Sequence, residues 1–153
     1  LTLLISIFSG SVTGFAAEGG SDPALLSCKA DGRHTNDTHS RVKEGDGIGF
    51  AKISTIIKEI RSENPYTLVL DAGDTFHGQT FATLTRGESI VRIMNEIGYA
   101  AMAPGNHDFN YGYERLVELN ELADFPILAA NVKKDDGSNL FDASAGLIPV
   151  KTL

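Results

Sequence analysis

Cysteine is almost missing from this chain. Cys28 is the single one in 153 residues, so neither an internal disulfide framework nor a multi-cysteine zinc site can be built within it. Positive charge is short as well, with 13 Lys and Arg against 20 Asp and Glu and a net charge of -7. No basic cluster or stripe stands out, which argues against a polymeric nucleic-acid partner but not against a small phosphorylated ligand held by metal ions. No apolar run reaches the length of a membrane span. Repeats and low-complexity tracts are lacking too, and an apolar content of 42% argues against disorder. What remains is one ordinary domain with a core of its own.

The opening "LTLLISIFSGSVTGFAAEGG" is apolar from Leu1 to Phe8, then small and polar, with Ala16-Ala17 ahead of Glu18. That is the pattern of a secretory hydrophobic region followed by a small-residue cleavage site. A buried N-terminal helix is the alternative. The expectation is a leader over residues 1–17 whose start is truncated, a linker over 18–27, and export to the periplasm, cell surface or extracellular space. "LLSC", Leu25 to Cys28, is only a weak lipidation box, separated from the apolar run by a Gly-rich gap. Cys28 is therefore expected to be unmodified.

Beyond the linker, hydrophobic periodicity takes over. Ile48, Ile53, Ile56, Ile57 and Ile60 fall at helical spacing and predict a helix from about Gly49 to Glu63. "YTLVL", Tyr66 to Leu70, reads as a buried parallel strand. "ESIVRIMNEIGY" predicts a second helix ending near Gly98, "AAMAP" a short strand, "YERLVELNELAD" a third helix, and "FPILAANV" and "GLIPV" further extended segments. Strand and helix alternating in this order specify a layered α/β fold with a largely parallel sheet. Upstream, "CKADGR" carries Lys29, Asp31 and Arg33, and its Asp-Gly pair reads better as a turn than as a central strand.

Ligands of open α/β sheets gather at the carboxyl ends of the strands, and the polar clusters sit there. In "HTNDTHSR", Asp37 and His39 have D-x-H spacing. One carboxylate oxygen and one imidazole nitrogen suit manganese, zinc, iron or cobalt better than calcium, although a solvated Asx turn would give the same letters. Asp74 of "GDT" follows a strand and a glycine; a carboxylate there can bridge two cations or cap the next segment. Asp71 and Asp74 stand at D-x-x-D spacing, which does not match a D-x-D nucleophile motif, and Asp71 reads as a structural strand-end residue. In "GNHD", Asn106 offers a neutral carbonyl ligand, while His107 and Asp108 form a possible imidazole and carboxylate pair.

Taken together, D-x-H, GD and GNH[DE] in this order resemble the calcineurin-like metallophosphoesterases. More narrowly, "HTNDTHSRV", "LDAGDTFHG", "GNHDFNYG" and "ILAANV" are similar to the secreted bacterial 5′-nucleotidase branch. The resemblance implies a metallophosphoesterase-type sandwich and a centre of two divalent metal ions. It implies Asp37 and His39 on the first metal, Asp74 bridging both and Asn106 on the second, with His107 and Asp108 as the catalytic dyad. The implied reaction is in-line attack of a metal-activated hydroxide on a nucleoside 5′-monophosphate, giving a nucleoside and phosphate. Some relatives cleave nucleotide sugars or 2′,3′-cyclic nucleotides instead.

His34 is expected to orient the first turn, and His77 to be an ordinary loop residue near the cleft. Measured against the family pattern, residues 28–153 are expected to be the N-terminal part of the catalytic domain. The fold is then incomplete at its C-terminus, and the downstream GH and GHxH histidines and the nucleotide-binding domain are absent. A non-catalytic remnant of such an enzyme is the competing expectation.

Overall fold

The computed structural model describes residues 6–11, 29–45 and 47–141. The linker, Cys28 and the "GLIPV" segment lie outside them. In chain order the elements are strand β1 (Ser6–Ser11), strand β2 (Lys29–Thr35), helix α1 (Phe50–Glu63), strand β3 (Thr67–Asp71), helix α2 (Thr80–Leu84), helix α3 (Glu88–Ile97), strand β4 (Ala101–Met102), a 3-10 helix (Asn106–Phe109) and helix α4 (Tyr113–Leu122). The sheet runs β1-β2-β3-β4. β2, β3 and β4 are parallel, and β1 pairs antiparallel along the outer side of β2, with Ser6 opposite His34 and Ser11 opposite Lys29. Part of the stretch assigned to a leader thus forms an edge strand. Among the described residues no helix is long and apolar enough to cross a membrane.

The expected turn at Asp31-Gly32 is corrected: both residues lie inside β2, opposite Thr67 and Leu68 of β3. Ladder pairing on two sides outweighs the local preference of an Asp-Gly pair, because strand formation is decided by cross-strand context more than by intrinsic propensity. The parallel register continues to His34 beside Leu70 and Thr35 beside Asp71. It is this register that delivers the first polar loop to the carboxyl edge of the sheet, level with the second.

Each crossover buries one stripe. Phe50, Ile53 and Ile57 of α1 are buried, as are Ile90, Val91, Met94 and Ile97 of α3 and Leu116 and Leu119 of α4. α3 touches α1, α2 and α4. These side chains meet Val69 and Met102, which are both 1% exposed, on one face of the sheet. Removing that apolar surface from water supplies the main driving force for folding, at roughly 25 cal/mol per Å². On the opposite face Leu68 is 39% exposed. β3 therefore alternates between covered and open positions rather than being buried on both sides as expected.

Helix ends follow their sequence signals. Asn64 is extended ahead of Pro65, where a proline disfavours helical backbone. Gly98 closes α3 in the left-handed conformation. The terminal carbonyls of Ile97 and Gly98 accept from the Arg61 guanidinium at 2.6 Å each, so α1 caps its neighbour. "FPILAANV" pairs beside β4 only through the parallel bridge between Met102 and Ile127. Met102 N donates to Pro126 O at 3.0 Å and Leu128 N to Met102 O at 2.8 Å. α2 and the 3-10 helix are too short to leave a periodic signature.

Candidate metal centre

Three loops leave the carboxyl ends of β2, β3 and β4 and are stitched to one another by backbone. Asp37 N donates to Gly73 O and His39 N to Asp74 O, both at 2.9 Å. Side chains strengthen the same seam, with Ser40 Oγ donating to Thr75 O at 2.9 Å and Thr38 Oγ1 to Thr75 Oγ1 at 3.0 Å. Alternate residues of the first loop are consequently tied down, while Asp37 and His39 are turned toward the second. Asp37, His39 and Asp74 all have positive φ, at 52°, 44° and 56°. Non-glycine residues adopt this region at a cost of roughly 1–3 kcal/mol each, and such residues cluster at functional sites.

The result is a compact donor set. One ligand atom from each of Asp37, His39 and Asp74 lies within 4.8 Å of the others, and all three residues are half-buried. His39 Nε2 is 3.7 Å from Asp37 Oδ1. Two carboxylates and an imidazole at this spacing fit a divalent transition-type cation, whose charge would offset the two anionic oxygens.

The third loop packs directly against the second at the centre, with glycine on both sides of the contact. A Cβ on Gly73 would stand 2.2 Å from Gly105 N, and a Cβ on Gly105 would stand 2.3 Å from Asp74 Oδ1. Only glycines let the loops after β3 and β4 meet here. Across this contact, His107 N donates to Asp74 Oδ1 at 2.8 Å, which fixes one oxygen of that carboxylate. Asn106 is exposed at the start of the 3-10 helix, beside this bond.

Asp108 is 1% exposed, and both its oxygens are committed to backbone. Oδ2 accepts from Asp74 N (2.8 Å) and Gly105 N (2.9 Å), and Oδ1 from Thr75 N (2.9 Å) and Phe76 N (2.8 Å). The carboxylate is thus a clamp between the loops after β3 and β4. Burial raises its pKa, opposed by the four N–H donors. The expected pairing with the His107 ring is not among the described hydrogen bonds. Instead His107 Nδ1 lies 3.0 Å from Asn110 Nδ2.

Other rings gather around His107. Its imidazole meets His39 edge-on at 5.3 Å between centroids and runs nearly parallel to His77 at 6.1 Å. His77 in turn lies 5.2 Å from Tyr111 and 3.1 Å, through Nδ1, from the amide nitrogen of Asn110. Asn110 was not singled out from sequence, although its position three residues after His107 puts the two on one face of a helical turn. Behind the centre, Asp71 accepts from Thr35 Oγ1 (2.6 Å), Gly73 N (2.9 Å) and Thr75 Oγ1 (2.9 Å). Thr35 Oγ1 is 2.9 Å from Tyr99 Oη. Burial pushes the Asp71 carboxyl up to about 7, against the three donors, and lifts the Tyr99 phenol as well. Asp71 is the structural strand-end residue its position suggested. His34, the last residue but one of β2, is half-buried, and its Nδ1 has no hydrogen-bond partner among the described residues.

Comparison with known proteins places this geometry in context. A family model described as calcineurin-like phosphoesterase matches residues 33–150. The 5′-nucleotidase of Bos taurus is 39% identical over 113 residues, covering 65% of this chain and 20% of that protein. The snake venom 5′-nucleotidase of Gloydius brevicauda is 37% identical over 132 residues, covering 78% of this chain and 22% of that protein. Among solved structures, the calcineurin-like phosphoesterase YfkN from Bacillus subtilis superposes with a TM-score of 0.62 at 32% identity, covering 69% of this chain and 38% of that one. The 5′-nucleotidase precursor from Thermus thermophilus gives 0.59 at 32% identity, covering 64% and 21%. The chain spans about a fifth of the length of the curated relatives it matches, as their 20% and 22% coverage states.

Proposed function

Because the chain belongs to the calcineurin-like phosphoesterase family, we propose that it forms part of the catalytic centre of a metal-dependent hydrolase acting on nucleoside 5′-monophosphates, with a nucleoside and inorganic phosphate as products. The observation that carries this reading is the convergence of Asp37, His39 and Asp74, from two separate strand ends, to within 4.8 Å. Relatives named as 5′-nucleotidases support the substrate class.

In this reading Asp37 and His39 hold one divalent cation, Asp74 is shared with a second, and Asn106 serves the second. The donor set favours ions of the manganese, zinc, cobalt or iron type. When bound, such cations neutralise phosphoryl oxygens and lower the pKa of water, which supplies an attacking nucleophile at neutral pH. The chain's own contribution is placement. The Asp108 clamp holds Asp74 and Gly105 at fixed separation, and the His107 amide anchors one Asp74 oxygen. His107, whose ring meets His39 edge-on, serves in this reading to hydrogen-bond a phosphoryl or leaving-group oxygen.

Export belongs to the same proposal, supported by the apolar run from Leu1 to Phe8 and by relatives described as venom proteins. The function is tested by phosphate release from AMP by the intact protein with added Mn²⁺, before and after chelation. Metal-dependent release is expected. Release that persists in excess chelator would overturn the reading.

A further inference from the structure

The two carboxylates of the candidate metal centre are each held through one oxygen, by different means. Asp74 is anchored through Oδ1, which accepts from the backbone N–H of His107 at 2.8 Å. Asp37 is anchored through Oδ2, which accepts from Nδ2 of Asn36 at 2.6 Å. Its other oxygen, Oδ1, faces Nε2 of His39 across 3.7 Å. Any residue except proline supplies a backbone N–H, whereas the anchor on Asp37 needs a particular side chain.

We propose that Asn36 is a positioning residue of this centre, whose side-chain N–H fixes the plane of the Asp37 carboxylate so that one oxygen is presented beside His39. The main chain on either side of Asn36 is already pinned. Thr35 O accepts from Ala72 N at 2.8 Å, and Asp37 N donates to Gly73 O at 2.9 Å. Backbone placement alone leaves the carboxylate free to turn, because the terminal torsion of an aspartate is soft. A donor on one oxygen removes that freedom. The donor must be short, since its acceptor belongs to the next residue, and neutral, since a Lys or Arg would compete with the cation for the same carboxylate. An Asp there would bring further acceptors and no donor. Asn36 and Asp37 are both half-buried, so the bond contributes modestly to folding, and its main effect is orientation. The proposal rests on the metal-binding part of the reading above, and on neither its substrate nor its chemistry.

The test is calorimetric titration of the intact protein with Mn²⁺, with Asn36→Leu and Asn36→Gln beside the original. Leu keeps the size and branching of Asn without the N–H, and Gln keeps the N–H on a stem one methylene longer. N36L should bind Mn²⁺ at least about tenfold more weakly. N36Q should recover part of that loss, while the urea midpoint of the metal-free protein stays the same in all three. A packing role predicts the reverse order, because Leu preserves the shape and Gln does not. Binding by N36L as tight as the original, binding by N36Q no tighter than by N36L, or a lowered urea midpoint that accounts for the loss would overturn the proposal and leave the metal centre standing. No binding by the original protein would overturn the metal reading and this proposal with it.

Discussion

Replacing Asp108 by Asn separates a structural clamp from a catalytic carboxylate. The substitution keeps size and shape but turns one acceptor oxygen into an NH₂ group. Oδ1 receives Thr75 and Phe76 N–H, and Oδ2 receives Asp74 and Gly105 N–H. Whichever way the amide is turned, two backbone N–H groups face another donor. A buried donor left without its partner costs roughly 1–3 kcal/mol, and two of them imply a loss of about 4 kcal/mol. That is a large share of a small domain's stability, usually about 5–15 kcal/mol. The assay is urea unfolding of the metal-free protein, where chemistry plays no part. A variant whose unfolding free energy stays within about 1 kcal/mol of the original, while hydrolysis collapses, would refute the clamp and return Asp108 to the chemistry.

Other perturbations carry their own expectations. Gly105→Ala places a Cβ 2.3 Å from Asp74 Oδ1 without demanding an unusual backbone, because Gly105 has φ of -88°; metal affinity should fall at least about tenfold, as measured by calorimetric titration. Asp74→Asn should lower AMP hydrolysis by roughly a thousandfold or more, since several kcal/mol of charge stabilisation depend on the cations it holds. Asp71 has a folded-state pKa raised from 3.8 to about 7 by burial, so the stability linked to it is present in full below about pH 4 and is lost as pH rises toward 7. Asp71→Asn removes that loss: its stability relative to the original should grow by up to about 4 kcal/mol between pH 4 and 8, and a difference that is flat with pH in thermal unfolding would contradict the assignment. Adding Mn²⁺ should raise the melting temperature in proportion to the logarithm of free ion above its Kd, and excess chelator should reverse the shift.

Periodicity carried most of the fold. The isoleucines of α1 and the stripe from Ile90 to Ile97 repeat every three to four residues because each must face the sheet. Asp37, His39 and Asp74 were legible because each sits where a strand stops, and strand ends converge by topology. Asp31-Gly32 was not, since its strand character comes from Thr67 and Leu68, more than thirty residues away. The Asp108 clamp failed for a similar reason. Three of its four partners, Asp74, Thr75 and Phe76, lie 32 to 34 residues upstream, and all four contribute only backbone N–H, which every residue but proline has. Asn110 differs again: its spacing from His107 is local, but its second partner His77 is reached only through the fold. Side-chain chemistry can be read in a line of letters, whereas a site held by main-chain donors needs the loops to be in place.

The central claim is that Asp37, His39 and Asp74 together hold a divalent cation. Mn²⁺ binding to the intact protein, followed by electron paramagnetic resonance and repeated with D37N, H39Q and D74N, tests it most directly. Binding by the original protein, weakened at least about tenfold by each substitution, is the predicted result. Equal binding by the original and all three variants, or none by any of them, would contradict it.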